Sequence, residues 1–233
     1  MGKDKIRKFA ELDTFSHVIQ PDFEDVFRKD HPLKGNWSKD IFKNDNPIVL
    51  ELGCGKGEYT VGLAREYKDK NFIGIDIKGN RMWAGAKQAL HEKLENVYFL
   101  RTRIELIESF FAANEISEIW ITFPDPQMQR PRKRLSSARF LNMYNTFLKP
   151  DGIVHLKTDS AELHVFTHNL CELNNLQVIE KFDDLYNSSY KDQILEIKTH
   201  YEQIYLNRGI PITYIKFKLS DKELINPPFS DDE

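Results

Sequence analysis

The residues that could carry chemistry stand in five short segments, each of which follows an apolar run. The first holds three glycines in alternate positions, which permit positive φ values and let a ligand approach the backbone. The second ends in an acid about twenty residues later, the spacing at which a carboxylate binds ribose hydroxyls in a nucleotide-binding βαβ unit. A glycine-rich turn by itself is also compatible with a simple tight turn. The segments are residues 53–57, Asp76, 101–103, 123–126 and 157–159.

Asp125 is the sharpest candidate, because it stands between Pro124 and Pro126. The fixed φ angles of the prolines restrict the local backbone and lower the entropy of presenting the carboxylate. The alternative is an exposed acid in a proline-rich turn. A cationic run over 130–134 follows, with four Lys or Arg residues in five positions. Charged runs are usually solvated surface, but the closeness of this one to Asp125 favours contact with phosphate groups.

A late segment, residues 198–202, precedes the last predicted strand. Tyr201, Tyr205 and Tyr214 in this part of the chain offer aromatic faces on which a base can stack. Tyrosines are as often core or surface filler, so the pattern leaves both interpretations open. Glu202 has the chemistry to accept hydrogen bonds from the amine or ring N–H of a guanine.

The elements that must position these segments follow from the hydrophobic pattern. Strand and helix alternate from Pro47 onwards, which predicts an open, mostly parallel sheet with helices on both faces. Ligands bind such sheets at the carboxyl ends of the strands, where all five segments fall. The last predicted strand alternates apolar and polar residues like an antiparallel edge strand. The seven predicted strands are 47–52, 71–76, 96–100, 117–123, 152–157, 177–182 and 212–219. The predicted helices are 58–68, 80–94, 104–113, 136–148 and 161–173, and 197–207 is helical or extended.

The composition is that of a globular protein, with 233 residues, 40% hydrophobic and 30% charged. We expect a domain over 47–219, a partly flexible N-terminal arm over 1–46 and a disordered tail over 220–233. The arm either packs over the core or uses its basic start to touch phosphates. The net charge of −3 means that any surface for nucleic acid must be local.

Membrane, secretion and metal signals are missing from the pattern. No apolar run approaches the roughly twenty residues that a membrane span needs. No apolar segment of a signal peptide follows the N-terminus. Cys54 and Cys171 lack the spacing of metal ligands. The sequence therefore predicts a cytoplasmic protein with reduced thiols and no metal site.

Five motifs together resemble bacterial tRNA (guanine-N(7)-)-methyltransferases over about residues 45–219. The motifs are Glu-Leu-Gly-Cys-Gly-Lys-Gly at 51–57, Gly-Ile-Asp at 74–76, Phe-Pro-Asp-Pro at 123–126, Lys-Thr-Asp at 157–159 and Thr-His-Tyr-Glu at 199–202. The first motif is shared by most S-adenosylmethionine-dependent methyltransferases, whereas the third and fifth are more specific. The resemblance implies a Rossmann-like class I methyltransferase fold with an antiparallel last strand. It also implies methylation of a guanine in the variable loop of tRNA, with S-adenosylmethionine as the cofactor.

Carried over position by position, the resemblance assigns cofactor and catalytic roles. The catalytic residue is Asp125, which also contacts the cofactor. Arg103 falls where many relatives have Asp or Asn, which suggests a backbone contact or a shifted adenine pocket. The implied cofactor-binding residues are Glu51, Gly53, Gly55, Asp76, Arg103 and Asp125.

The implied substrate contacts lie later in the chain and differ from the family at two positions. Gln129 stands where relatives often have Lys, and Gln127 replaces a tryptophan that usually follows the Pro-Asp-Pro motif. Arg130 or Arg132 is then the alternative source of the basic contact. The implied substrate-binding residues are Gln129, Arg130, Arg132, Asp159, Thr199, His200, Tyr201 and Glu202.

Three other functions compete with this interpretation. A dinucleotide-dependent dehydrogenase is disfavoured by the Gly-x-Gly-x-Gly spacing and by the Pro-Asp-Pro motif. A small-molecule methyltransferase has no evident use for the basic loop. A catalytically weak RNA-binding scaffold stays open because of the substitutions at Arg103, Gln127 and Gln129. The expected partner is tRNA, without a membrane, for a monomer or a homodimer.

Overall fold

The computed structural model of the protein describes residues 3–190 and 192–228. The strands within these ranges are β1 Val18–Ile19, β2 Ile48–Leu52, β3 Asn71–Ile75, β4 Val97–Leu100, β5 Ile116–Thr122, β6 Leu148–Thr158, β7 Val178–Phe182 and β8 Thr213–Lys218. The α-helices are α1 Lys3–Leu12, α2 Phe23–Val26, α3 Glu58–Glu66, α4 Gly79–His91, α5 Ala138–Asn145, α6 Ala161–Leu173 and α7 His200–Asn207. A π-helical turn spans Trp37–Phe42, and 3₁₀ turns span Ile104–Ser109 and Pro131–Lys133.

The strands form one sheet in the order β1-β4-β3-β2-β5-β6-β8-β7. The pairs from β1 through β6 are parallel, and β8 is antiparallel to both of its neighbours. The predicted α/β class with an antiparallel last strand is therefore confirmed. The predicted count of seven is low by one, because β1 adds a two-residue strand beside β4 that is too short to show a period.

Strand β8 is not an edge strand, which corrects the sequence prediction. It lies between β6 and β7, and its backbone pairs on both sides. Its side chains explain this position, because Tyr214, Ile215 and Phe217 are all buried although they point to opposite faces. The alternation seen in the sequence comes from two lysines, Lys216 and Lys218, of which Lys216 pairs with Glu180 on β7.

Apolar side chains cover both faces of the sheet. Val49 and Leu50 are neighbours on β2, yet they belong to different clusters because successive side chains of a strand point to opposite faces. One cluster packs against α5 and α6, and the other against α3 and α4. The sheet is thus covered by helices on both faces, as the sequence predicts.

The N-terminal region packs onto the sheet domain. In α1, the Glu11 carboxylate accepts a hydrogen bond from the Trp83 indole of α4 at 2.7 Å. The Trp37 side chain is fully buried and donates to the Phe110 carbonyl at 2.8 Å. The first two residues lie outside the described ranges. The division at residue 46 and the partial flexibility of the arm stay predictions.

Within the predicted tail, Ser220 and residues 224–226 are hydrogen-bonded to α5 and to the end of α6, a contact that the sequence does not predict, and the disorder of the tail stays a prediction. Leu224 is 3% exposed, and its backbone exchanges two hydrogen bonds with the side-chain amide of Asn142. Asn174 pairs with the backbone of Ile225 in the same two-point manner. The rest of the predicted tail, 229–233, lies outside the described ranges. Within the described residues, no helix combines the length and the apolar character that a membrane span needs.

Candidate functional site

The glycine segment forms a tight turn between β2 and α3. Gly53, Gly55 and Gly57 all have positive φ values, of 76°, 55° and 73°. The turn is tied to the neighbouring strand, because the Gly53 N–H donates to the Ile75 carbonyl at 2.8 Å. A Cβ atom on Gly57 would lie 2.7 Å from the Phe99 ring, so only glycine fits there. The sequence prediction of a strand, a glycine turn and a helix start is confirmed.

Asp76 stands beside this turn, at the end of β3. One carboxylate oxygen accepts the Gly55 N–H at 2.9 Å, and the other accepts the Lys78 N–H at 2.7 Å. These bonds fix the carboxylate at the wall of the cleft, where its remaining lone pairs can accept from ligand hydroxyls.

Glu51 lies beneath the turn and is 2% exposed. One oxygen accepts both the N–H and the hydroxyl of Thr60, and the other accepts the Thr122 hydroxyl at 2.5 Å. Burial raises the pKa of Glu51 to about 7, although the bonds from Thr122 and Thr60 lower it. The carboxylate therefore connects α3 to the end of β5 beneath the glycine turn. Its predicted contact with a cofactor stays a prediction.

These groups border a cleft of about 590 Å³ at the carboxyl ends of the central strands. Glycine backbone forms one side, and the loop that contains Asp125 forms the other. The residues named in the sequence analysis that line the cleft are Gly53, Cys54, Gly55, Asp76, Arg103, Phe123, Pro124, Asp125, Gln127, Arg130, Thr199 and Tyr201.

The Pro-Asp-Pro loop has a fixed and unusual backbone. Phe123 and Gln127 flank it, and both have left-handed φ values, of 47° and 48°. Such values are uncommon outside glycine, and strained positions of this kind cluster at functional sites. Asp125 is exposed, and its carboxylate accepts the Gln127 N–H at 3.0 Å. The loop is held from behind, because the Arg134 guanidinium donates to the Pro126 carbonyl at 2.9 Å.

The cationic run divides into side chains with different surroundings. Arg130 and Lys133 line the cleft. Gln129 and Arg132 are exposed, but they border shallow grooves next to it. Arg134 is 3% exposed, forms an ion pair with Glu162 and lies over the Phe166 ring. Arg134 therefore shapes the loop and is not available to phosphate groups.

The segment 199–202 is a capping box that begins α7, which the sequence analysis did not recognise. The Thr199 hydroxyl accepts the Glu202 N–H at 3.2 Å, and the Glu202 carboxylate accepts the Thr199 N–H at 3.2 Å. Glu202 is fully buried and forms an ion pair with Lys157 at 2.7 Å. In this structure the Glu202 side chain pairs with Lys157 and does not line the cleft, and its predicted contact with a substrate stays a prediction. The Thr-x-x-Glu spacing was the available signal, because it defines a capping box as well as a family motif.

The three tyrosines predicted as stacking surfaces for a base also differ in their exposure. Tyr201 lines the cleft, is 39% exposed, and lies 5.9 Å from the Arg81 guanidinium. Tyr205 packs against Phe123, with ring centroids 6.3 Å apart. Tyr214 is 2% exposed in β8, so it cannot stack on a base.

Two predicted contacts and one missed residue complete the site. Asp159 is half-buried at the end of β6, where burial raises the pKa of its carboxyl group. The His200 N–H donates to the carboxylate of Glu58 at 2.8 Å. Glu58 lines the cleft, and the sequence analysis did not select it as a site residue. Its place directly after the third glycine was the signal that could have identified it.

The cleft suits a ligand that contains a nucleoside. The three glycines of the turn carry no Cβ atom, so a ligand can approach their backbone closely, and Asp76 presents a fixed acceptor next to them. The floor is polar, because the Thr122 hydroxyl lies between the cleft and Glu51. Among the described residues, no cluster of His, Cys, Asp or Glu has the form of a metal site.

Solved methyltransferases have the same fold. The 16S rRNA methyltransferase KamB superposes with a TM-score of 0.62 at 13% identity, covering 82% of this chain and 95% of that one. A 16S rRNA (adenine(1408)-N(1))-methyltransferase with cosubstrate S-adenosylmethionine, from Catenulisporales acidiphilia, gives a TM-score of 0.54 at 15% identity, covering 84% and 93%. At these identities the likeness shows the class I methyltransferase fold alone.

Sequence comparison resolves the family. A family model described as a putative methyltransferase matches residues 45–215. A tRNA (guanine-N(7)-)-methyltransferase from Bacteroides thetaiotaomicron is 53% identical over 228 residues, which is 98% of this chain and 90% of the relative. The corresponding protein of Christiangramia forsetii is 54% identical over 221 residues, 94% of this chain and 99% of the relative. The chain belongs to the tRNA (guanine-N(7)-)-methyltransferase family, whose methyl donor is S-adenosylmethionine.

Proposed function

We propose that this protein transfers a methyl group from S-adenosylmethionine to N7 of a guanine in the variable loop of tRNA. The observation that carries the proposal is the composition of one cleft. Its walls contain the glycine turn, Asp76, the fixed loop around Asp125, the cations Arg130 and Lys133, and the exposed ring of Tyr201. A small-molecule methyltransferase would have no use for the two cations and the exposed tyrosine.

The cofactor supplies a methyl group on a positively charged sulfur when it is bound. Asp76 binds its ribose hydroxyls, because the carboxylate is fixed at the end of β3 with lone pairs left to accept. The glycine backbone lets the rest of the molecule lie against the turn. Arg103 lines the same cleft, and its N–H groups suit the acceptors of an adenine. Glu51 holds the floor through Thr60 and Thr122.

Asp125 is proposed to act by electrostatics. N7 of guanine carries a free lone pair, so no proton must leave before it attacks and no general base is required. Positive charge passes to the purine as the methyl group moves, and a fixed carboxylate stabilises that charge. The left-handed residues on both sides and the bond from Gln127 keep Asp125 in place before the reaction. The site then contributes the alignment of the two reactants and an electrostatic field rather than proton transfer.

The tRNA must deliver a base that is difficult to reach. N7 lies on the major-groove edge, which is deep and narrow in duplex RNA, so the guanine has to leave its stack at a cost of a few kcal/mol. Phosphate contacts from Arg130, Lys133 and Arg132 offset this cost, and Tyr201 offers a face for stacking. We propose that the enzyme acts on tRNA in the cytoplasm, as a monomer or a homodimer.

The test is a turnover assay with labelled methyl donor and an unmodified tRNA transcript, followed by nucleoside mass spectrometry. We expect 7-methylguanosine from the wild-type protein, and none from a transcript whose variable-loop guanine is replaced by adenine. Asp125→Asn should fold normally and lose about 10²–10³ in kcat, because a preorganised charge is removed.

The matched control is Asp69→Asn, since Asp69 is an exposed acid that precedes β3 at the opposite edge of the sheet. It should keep wild-type turnover. Near-wild-type methylation by Asp125→Asn would remove Asp125 from the mechanism. A methylated base other than guanine, or transfer to a small molecule only, would refute the proposed function.

A further inference from the structure

Helix α3, which begins at the glycine turn, is attached to the segment 194–202 at three points. The Tyr59 hydroxyl donates to the Ile194 carbonyl at 3.0 Å. One turn further along, a Cβ on Gly62 would lie 2.6 Å from the Ile197 side chain, so the glycine permits close packing. At the start of α3, the Glu58 carboxylate accepts the His200 N–H at 2.8 Å. The element that follows the cofactor turn therefore holds the segment that leads into α7.

Glu58 stands at the starts of two helices. It is the first residue of α3, and it accepts from the first N–H of α7. The first N–H groups of a helix have no partner within the helix. In α7 the Thr199 hydroxyl satisfies the N–H of Glu202, and Glu58 satisfies that of His200. A carboxylate is favourable at both positions, because the N-terminus of a helix carries partial positive charge.

Tyr201 lies in the first turn of α7, next to the residue that Glu58 holds. Tyr201 follows His200, lines the cleft, and lies 5.9 Å from the Arg81 guanidinium of α4. We propose that Glu58 is a positioning residue, which fixes the first turn of α7 so that Tyr201 faces the cleft and receives tRNA. The proposal rests on the proposed function, since it gives Glu58 a part in tRNA binding at the same cleft.

The same segment has a second anchor that does not involve Glu58. The Lys157 ammonium donates to the Leu195 carbonyl at 2.7 Å and to the Ile197 carbonyl at 3.3 Å, and pairs with Glu202. Loss of the Glu58 carboxylate therefore leaves the fold and the body of α7 in place. Its effect is confined to the first turn of the helix.

The test compares Glu58→Ala, Glu58→Gln and Glu66→Ala. Glu66 is an exposed acid at the other end of α3 and serves as the matched control. We expect Glu58→Ala to raise the KM for tRNA about tenfold, the equivalent of one lost charge-assisted hydrogen bond. The kcat and the affinity for S-adenosylmethionine, measured by equilibrium titration, should change less than about twofold. Glu58→Gln keeps an acceptor oxygen, so it should restore most of the tRNA affinity.

Hydrogen–deuterium exchange provides a readout without turnover. The peptide that covers the start of α7 should exchange faster in Glu58→Ala than in the wild-type protein and the Glu66→Ala control. An unchanged KM for tRNA together with unchanged exchange would overturn the proposal. So would a loss of S-adenosylmethionine affinity with an unchanged KM for tRNA, because Glu58 would then belong to the cofactor site. If the wild-type protein does not methylate tRNA, the proposed function fails. The exchange data still test whether the Glu58 carboxylate stabilises the first turn of α7.

Discussion

At the level of single residues, Glu51 is a buried acid that stabilises the candidate site through hydrogen bonds. Its carboxylate joins Thr60 of α3 to Thr122 at the end of β5, so it connects two of the elements that border the cleft. Burial raises its pKa to about 7 from an ordinary value of 4.5. An acid of this kind is about half protonated at neutral pH, so the unfolding free energy of the protein depends on pH through Glu51.

The first prediction concerns this pH dependence. In the unfolded chain Glu51 loses its proton near pH 4.5, but in the folded protein it keeps the proton up to about pH 7. The folded state binds more protons in this window, so its stability falls as the pH rises from 4.5 to 7. Glu51→Gln lacks the titrating group. The unfolding free energy of the wild-type protein minus that of Glu51→Gln should therefore decrease by about 2–3 kcal/mol from pH 5 to pH 8.

Urea unfolding of both proteins at several pH values measures this difference. Glu92→Gln is a suitable control, because an ion pair with Arg65 lowers the pKa of Glu92 instead of raising it. Its difference curve should not fall between pH 5 and pH 8. A flat curve for Glu51→Gln would mean that Glu51 is ionised in the folded protein at pH 5.

At the element scale, the buried pair Lys157–Glu202 connects β6 to α7. Both side chains are fully buried, and their charged atoms are 2.7 Å apart. Burial lowers the pKa of Lys157, while the neighbouring Glu202 raises it. The Tyr186 hydroxyl also donates to Glu202 at 2.6 Å. The pair fixes the helix that presents Tyr201 to the cleft, and the predicted contact of Glu202 with a substrate stays a prediction.

The second prediction follows from the cost of an unpaired buried charge. Lys157→Met or Glu202→Leu alone should each reduce the unfolding free energy by about 3–5 kcal/mol, because each leaves the partner charged in the core. The double variant should be no less stable than either single variant, since no unpaired charge is left. The pair Lys34–Asp30 offers a comparison, because Asp30 is exposed and Lys34 is only partly buried, and Lys34→Met should cost less than about 1 kcal/mol.

Urea unfolding of the four variants gives these energies. If a single variant does not fold, Glu202→Gln keeps the shape of the side chain and allows the same comparison. A stable Glu202→Leu protein that binds tRNA weakly would support the predicted role of Glu202 as a substrate contact. Additive losses in the double variant would show that the two charges do not compensate each other.

The sequence predicts the sheet elements well because their hydrophobic periods are long and regular. Helix α6 agrees in both bounds with its prediction, and β2 begins one residue later than predicted. The two-residue strand β1 and the irregular helical turn Trp37–Phe42 have no period to detect. For the site, the glycines and Asp125 were predictable because their backbone chemistry is local. The burial of Glu202, Arg134 and Tyr214 was not, since it depends on segments far away in the chain.

At the scale of the whole molecule, a protein of net charge −3 has to bind a polyanion. The cations at the cleft can do so only as a local patch, because the overall charge repels RNA. Arg130, Arg132 and Lys133 are exposed, whereas Arg134 is occupied by Glu162. The patch is therefore smaller than the cationic run in the sequence indicates. Replacing these three side chains should change RNA binding without changing the stability of the fold, since they have no part in the core.

The last prediction measures this patch through salt. Each phosphate contact releases counterions, so the logarithm of the tRNA binding constant falls linearly with the logarithm of the salt concentration. Replacing Arg130, Arg132 and Lys133 with Gln should reduce the slope by about 2 to 3, at roughly one per contact. A matched triple variant of Lys39, Lys43 and Lys93, which are exposed near the opposite edge of the sheet, should keep the wild-type slope. Arg134→Gln should instead lower the thermal stability, because it removes the ion pair of a buried guanidinium with Glu162 and the bond to Pro126. An unchanged slope in the first triple variant would place the phosphate contacts elsewhere, and the N-terminal helix with its lysines would be the next surface to test.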